Sequence, residues 1–228
     1  MQKIFIFLLL LSCMNVFSQE EPNFAAIDSL YREDQFYCGI TYNILKNAPK
    51  DVSQNSFSTG LNFGFLRDFP INKKRTFAIA PGLGFSYSNY KQNLIIEDMN
   101  EKISYRTIIS GDSYDKNKFA LYFVDLPIEF RWRTSTYESH KFWRIYTGVK
   151  LSYLLLGQSR YISSTENFKI NNNPDFNKFQ YGAYISAGYN SWNLHAYYGL
   201  QNIFKNGSLN EQPLGMKTLN IGLMFYIL

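Results

Sequence analysis

Hydrophobic and polar residues alternate with a period of two from about residue 36 onward, which is the period of a β-strand with two different faces. In the clearest segment, 77–88, Phe, Ile, Leu, Pro and Tyr occupy the odd positions, and Ala, Gly and Ser occupy the even positions. The pattern predicts eight strands, near residues 36–45, 56–68, 76–90, 119–133, 142–157, 179–190, 192–202 and 217–228.

The connections between these strands alternate between short and long. The short ones lie near 69–75, 134–141 and 190–191, whereas the long, polar ones lie near 46–55, 91–118, 158–178 and 203–216. This alternation is typical of outer-membrane barrels, which have short periplasmic turns and long extracellular loops. A soluble barrel of the lipocalin type would point its apolar face inward, but here the other face carries Gly, Ser, Asn, Arg, Glu and Lys. We therefore predict an all-β fold, an eight-stranded antiparallel up-and-down transmembrane β-barrel in the bacterial outer membrane.

Composition narrows the function classes further. Aromatic residues make up 18% of the 228 residues and charged residues also 18%, which excludes a disordered chain and a coiled coil. After the N-terminus there is no apolar run of about 18 residues, so a helical membrane protein is excluded. The net charge of +5 is spread along the chain and predicts no nucleic-acid partner.

The N-terminus predicts export. Residues 1–18 combine a positive start, an apolar run and a small-residue cleavage site, which are the parts of a signal peptide. Residues 19–35 then form a periplasmic lead-in, and residues 36–228 form the barrel. The alternative is a lipoprotein signal with lipidation of Cys13. Cleavage after residue 18 leaves Cys38 as the one cysteine, on a lipid-facing position, so no intramolecular disulfide is expected.

Charged residues concentrate on the inward positions of the fourth and fifth strands. The small residues of the second and third strands face them, so long charged side chains can reach across the lumen. We predict that Asp125 lies roughly opposite Lys150 and that Glu129 lies diagonal to Arg144. An eight-stranded lumen is filled by side chains, which favours a structural role over a charged constriction that selects solutes. The predicted lumen charge network is Asp125, Glu129, Arg131, Arg144, Lys150 and His195.

Two features, one beside the short turns and one in the last strand, support insertion into a membrane. The three tryptophans, Trp132, Trp143 and Trp192, flank short turns, where an aromatic girdle meets the membrane interface. The last strand resembles the C-terminal signal by which barrels are recognised for insertion: a polar residue, a glycine and two alternating hydrophobic residues. The matching positions are Asn220, Gly222, Phe225 and Ile227.

Sequence motifs of catalysis and of cofactor or metal binding do not appear. The chain lacks a Walker loop, GxSxG, HExxH and EF-hand pattern. His140 falls in a predicted turn, and His195 with Ser186 in the predicted lumen is a poor nucleophile–base pair for a lipid hydrolase. We expect no enzyme activity, no cofactor and no metal.

Several segments resemble the small outer-membrane β-barrels of the PorT type, within the broader porin family. They are the strand FVDLPIEFR at 123–131, the turn WRTST at 132–136, KFWRIY at 141–146, GYNSWN at 188–193 and KTLNIGLMFY at 217–226. The resemblance implies a component of the type IX secretion system, hence of protein transport. Its expected partners are outer-membrane lipid, the barrel-insertion machinery and other secretion-system proteins. We expect a structural or assembly role, because eight strands around a filled lumen cannot pass a folded protein. The alternative is a generic small porin or loop-presenting barrel unrelated to secretion.

Overall fold

The computed structural model describes residues 34–54, 56–99, 102–108, 112–134 and 142–227. The predicted signal peptide, with Cys13, and the predicted lead-in lie outside the described residues, except for Asp34 and Gln35. Gln35 already belongs to the first strand. Among the described residues, no helix is long and apolar enough to cross a membrane.

Eight long strands form one closed antiparallel sheet. Each pairs with its neighbours in sequence, and the last pairs with the first, so the sheet has no free edge along the barrel wall. The predicted eight-stranded up-and-down barrel is confirmed. The strands are β1 (Gln35–Lys46), β2 (Thr59–Leu66), β3 (Phe77–Lys91), β4 (Tyr114–Arg133), β5 (Trp143–Ser163), β6 (Phe179–Tyr189), β7 (Trp192–Gly199) and β8 (Lys217–Ile227).

The outer face of the barrel is apolar and the inner face is polar. On β4, Leu126, Ile128 and Phe130 point outward and are exposed, whereas Asp125 and Glu129, at alternating positions, are buried inside. Exposing such an apolar wall to water would be strongly unfavourable in free energy, whereas exposing it to lipid tails is not. The direction of the alternation therefore agrees with a membrane barrel.

Two rows of aromatic residues bound this outer face. On each of β3, β4 and β5, an outward aromatic residue near the short turns is followed ten positions away by an outward tyrosine. Ten residues span about 33 Å along a strand, which a tilt of about 40° reduces to a height of about 25 Å, the apolar band of outer-membrane barrels. The pairs are Phe77 and Tyr87, Trp132 and Tyr122, and Trp143 and Tyr153.

The connections at the other end, the long-loop end, are more ordered than predicted. β4 begins at Tyr114 and β5 ends at Ser163, so both extend past the predicted 119 and 157. The predicted loop 91–118 contains a hairpin of Leu94–Met99 and Lys102–Thr107. The predicted loop 158–178 contains Asn167–Asn171, which pairs with β5, and the loop 203–216 contains the small hairpin Ser208–Leu209 with Gln212–Pro213.

These connections pack around a hydrophobic cluster, which we call the apolar cap. It brings inward residues of β3 and β4 together with residues of all four long connections. Phe119 is fully buried, and its ring lies 4.9 Å from that of Tyr90 and 5.7 Å from that of Phe204. The apolar cap comprises Val52, Tyr90, Leu94, Ile96, Phe119, Leu121, Phe123, Phe176, Ile203, Phe204, Leu209, Leu214 and Met216.

Candidate functional site: a filled lumen

A buried ion-pair cluster lies inside the barrel at the short-turn end. Arg133 binds the carboxylate of Asp68 with both of its terminal nitrogens, at 2.8 Å each. Arg131 Nη1 donates to the same carboxylate at 3.0 Å, and its Nε donates to Glu129 at 2.9 Å. The side chains of Arg131, Arg133 and Asp68 are fully buried. Two-pronged binding of a carboxylate by guanidinium groups fixes the geometry of this cluster.

Glu129 is the centre of the next layer. Besides the bond from Arg131, its carboxylate accepts hydrogen bonds from the hydroxyl of Tyr184 at 3.1 Å and from that of Tyr226 at 3.0 Å. The Tyr226 hydroxyl also lies 3.3 Å from Ser186 Oγ. Three strands on different sides of the barrel, β4, β6 and β8, therefore meet at a single carboxylate. This layer crosses the lumen and closes it.

A third carboxylate, Asp125, lies further towards the long-loop end. Lys150 Nζ is 3.3 Å from Asp125, and Ser152 Oγ donates to Asp125 at 2.5 Å. The Lys150 ammonium also lies 4.5 Å from the centre of the Tyr197 ring, which adds a cation–π contact. The residue directly opposite Asp125 is Ser152, so the predicted register was wrong by two residues and Lys150 reaches Asp125 along a diagonal.

The predicted diagonal contact of Glu129 with Arg144 was also wrong, for the same reason. Gly148 is opposite Glu129, and Arg144 is opposite Arg133. Arg144 is buried, and its guanidinium lies 4.5 Å from the Phe142 ring centre and 5.6 Å from that of Tyr146. Among the described residues Arg144 has no carboxylate partner, so aromatic faces stabilise its charge.

Little space remains between these layers. The cavity at the middle of the lumen has a volume of about 20 Å³, which is room for one or two water molecules. Its lining includes Asp125, Glu129, Lys150 and His195. Within the described part of the chain, no group of three His, Cys, Asp or Glu side chains could hold a metal ion.

Tyrosines from neighbouring strands fill the space over lumen glycines. The Tyr37 ring lies over Gly64 and Gly84, and its hydroxyl occupies the place that a Gly84 side chain would need. Tyr197 lies in the same way over Gly182. The glycine-rich wall predicted from the second and third strands thus accommodates large side chains from the adjacent strands.

Replacing Gly84 by Ala is expected to lower the free energy of unfolding by about 1–3 kcal/mol, because the new methyl group displaces the Tyr37 hydroxyl from a filled lumen. Urea unfolding of the barrel in detergent, followed by tryptophan fluorescence, measures the change. Gly215→Ala is the matched control, because no atom lies within 4 Å of a Cβ at that position. A Gly84 variant as stable as the Gly215 variant would contradict the packing.

Ser186 and His195 are close to each other but enclosed. Ser186 Oγ lies 2.8 Å from His195 Nδ1, and both side chains are buried inside the barrel. A hydrolase acting on lipid would need such a pair at the bilayer surface, and β6 and β7 place it on the opposite face. The arrangement is that of a hydrogen-bonded lumen histidine.

The other residues singled out from the sequence lie on the outer wall or on β8. Trp143 and Trp192 are 61% and 63% exposed at the short-turn end, and Trp132 is at the same end beside Phe77. The rings of Trp192 and Phe225 meet at 4.9 Å. On β8, Asn220 is buried inside and Ile227 is exposed outside. The backbone of β1 covers Gly222.

The lumen network predicted from the sequence lacks four residues that belong to it in the structure: Asp68, Arg133, Tyr184 and Tyr226. Asp68 follows the end of β2 but has the same parity as Asn62, Gly64 and Leu66, which point inward. Arg133 likewise continues the parity of Glu129 and Arg131. Both residues lie within the predicted strands 56–68 and 119–133, so following each alternation to the end of its strand would have found both.

A polar contact fixes the hairpin 94–107 at the long-loop end. The Tyr105 hydroxyl donates to Asp175 Oδ2 at 2.6 Å and accepts from Asn173 Nδ2 at 3.0 Å. Burial, and then the hydrogen bond to the Asp175 carboxylate, raise the pKa of Tyr105 above its ordinary value of 10.0. The phenol therefore stays protonated and remains a donor below pH 10, and this contribution to stability is lost as the pH rises through the raised pKa. Arg106 on the same strand binds Glu97 at 3.1 Å and Glu166 at 2.6 Å.

A comparison with protein-family models agrees with this architecture. A family model described as "Outer membrane protein beta-barrel domain" matches residues 17–205. The crystal structure of Ail, the attachment invasion locus protein of Yersinia pestis, aligns with 86% of this chain and 100% of its own, at 14% identity and a TM-score of 0.39. A mutant porin of Rh. blastica aligns over the same shares at 7% identity and a TM-score of 0.16. A search of curated proteins finds no match.

Proposed function

The chain belongs to the outer membrane protein β-barrel domain family, and on that premise we propose that it is a non-conducting, non-enzymatic component of type IX protein secretion with a structural or assembly role. The observation that carries the non-conducting part is the filled lumen. The layer around Glu129 joins β4, β6 and β8 across the barrel, and the apolar cap covers the long-loop end. A conduit for protein would need many more strands or an empty interior.

The assignment to secretion is supported by the PorT-like segments of the sequence. One of these segments, 123–131, supplies three lumen residues: Asp125, Glu129 and Arg131. The segment 141–146 supplies Arg144, which lies over the rings of Phe142 and Tyr146. These segments therefore contribute residues that fill the barrel, which is consistent with a rigid scaffold for other components. The surfaces available to such partners are the lipid-facing wall and the turns at the short-turn end, which would face the periplasm.

Deleting the gene and measuring secretion of type IX cargo tests the proposed role. We expect the cargo to accumulate in the periplasm of the deletion strain. Complementing that strain with a copy that carries Lys73→Gln and Lys74→Gln, in the exposed periplasmic turn, separates partner binding from folding. Unchanged secretion in the deletion strain would contradict the role in secretion. Co-purification from mild detergent then identifies bound secretion proteins.

A loop-presenting barrel unrelated to secretion is the second candidate, and the ordered long-loop end favours it. The hairpin 94–107 is fixed by Tyr105 and Arg106 and is therefore a defined surface for recognition. Replacing residues 94–107 by a short Gly/Ser linker distinguishes the two candidates. The secretion role predicts that this variant restores cargo export to the deletion strain, which otherwise accumulates cargo in the periplasm. The loop-presenting role predicts that the variant loses surface binding and that the deletion strain itself exports cargo normally.

A further inference from the structure

The register of the strands at the long-loop end aligns four cations in one row. Lys91 of β3 is opposite Lys118 of β4, Lys118 is opposite Arg160 of β5, and Arg160 is opposite Lys169. All four lie on the outward face, because a bulge near Tyr122 in the pairing of β4 with β5 shifts the parity of β5 before Arg160. We call these four residues the basic row.

The described residues form no ion pair with the basic row. Like charges directly opposite each other on adjacent strands are destabilising. In the described part of the chain, none of the four residues has an ion-pair partner, while nearby Arg106 takes both Glu97 and Glu166. The Nε of Arg160 is buried without a hydrogen-bond partner. Such an arrangement is expected where an external anion completes the site.

The position of the basic row identifies the anion. Lys118 lies four residues beyond Tyr122, and Lys91 lies four residues beyond Tyr87. These tyrosines belong to the aromatic row nearer the long-loop end. Four residues correspond to about 13 Å along a strand and about 10 Å in height at a tilt of about 40°. This is the depth of lipid headgroups just outside the apolar band.

A concave surface beside the row gives the anion a place to bind. A depression of about 330 Å³ is lined by Lys91 and Lys118 together with Lys116. Asp115 also lines it, so one carboxylate opposes three ammonium groups. Lysine and arginine are the residues that proteins use to bind phosphate groups.

We propose that the basic row binds the phosphate groups of a phosphorylated lipid in the outer leaflet of the outer membrane. The ammonium and guanidinium groups donate hydrogen bonds to phosphate oxygens, and the bound charge relieves the repulsion along the row. The lipid thereby holds the extended ends of β3, β4 and β5 against the membrane surface. This inference does not depend on a role in secretion.

Lipid binding by the full-length chain, refolded in a neutral detergent, tests the proposal. Bisphosphorylated lipid A, dephosphorylated lipid A and inorganic phosphate serve as separate probes in a calorimetric titration. The triple variant Lys118→Gln, Arg160→Gln, Lys169→Gln removes most of the row. Each cation near a charged lipid surface is worth about 1 kcal/mol, or about fivefold in affinity, so we expect the triple variant to bind bisphosphorylated lipid A at least about tenfold more weakly.

The matched control is Lys50→Gln, Lys102→Gln, Lys205→Gln, which removes the same charge from exposed positions outside the row. This control should bind within about twofold of the wild type. In lipid-free detergent the row variant should be at least as stable as the wild type, because like charges have been removed. Arg160→Gln alone should lose about fivefold and replaces the triple variant should that variant fail to fold.

Three results would overturn the proposal. They are equal binding of phosphorylated and dephosphorylated lipid A, an unchanged affinity in the row variants, and an affinity for inorganic phosphate equal to that for the lipid. The last result would assign the row to a free anion.

Discussion

Replacing Asp68 by Asn is expected to lower the free energy of unfolding by about 3–5 kcal/mol, because it leaves two buried guanidinium groups without their shared carboxylate. Arg131 and Arg133 both donate to Asp68, and all three side chains are fully buried. The substitution preserves the size of the side chain, so the loss measures charge and hydrogen bonding rather than packing. The barrel should still fold, since Glu129 keeps one bond to Arg131.

Urea unfolding in detergent micelles measures this change, and the three tryptophans at the short-turn end report it by fluorescence. Glu166→Gln is the matched control, because Glu166 pairs with Arg106 through side chains that are 41% and 37% exposed. Exposed pairs contribute about 0–1 kcal/mol, so the control should change little. Equal effects of the two substitutions would show that the short-turn end of the lumen is open to water.

Replacing Phe119 by Ala is expected to lower the stability of the apolar cap by about 3–5 kcal/mol, because it leaves a cavity among rings that cannot close over it. Phe119 is fully buried and contacts the rings of Tyr90, Phe176 and Phe204. Limited proteolysis as a function of urea concentration measures the effect on the long connections. The hairpin 94–107 should become cleavable at a lower urea concentration.

Met99→Ala is the control for this substitution, since Met99 is 62% exposed near the tip of the same hairpin. It should leave the stability of the apolar cap, calculated from the cleavage midpoint, within about 0.5 kcal/mol of the wild type. A Phe119 variant that resists protease as well as the Met99 variant would mean that the long connections do not share a core.

The alternation of residues was sufficient to predict the barrel and the direction of its faces. A period of two places alternate residues of a strand on opposite faces. Their chemistry then decides which face is which: Leu126, Ile128 and Phe130 face outward, whereas Asp125 and Glu129 face the lumen. Pairing partners require more than a period. The connection 134–141 can be centred in several ways, and a shift of its centre by one residue moves every partner by two, as happened for Asp125 and Glu129.

The long-loop end could not be predicted from the same signal. The bulge between β4 and β5 breaks the alternation within the run Leu154, Leu155 and Leu156, so the pattern appeared to end near residue 157. The apolar residues of the long connections, such as Ile203 and Phe204, follow no period and gave no sign of a shared core. The basic row is invisible in sequence, because its four members come from positions 91, 118, 160 and 169 and only the register aligns them.

Single-channel recording in planar bilayers tests the filled lumen most directly. Insertion of the purified, refolded chain is verified first by flotation with lipid vesicles, so that a silent bilayer reports a closed barrel rather than absent protein. The layer at Glu129 and the apolar cap predict no stable conductance at any applied voltage that the bilayer tolerates. A stable, sizeable open channel formed by the wild-type chain would contradict the filled lumen. It would instead support a charged constriction that selects solutes.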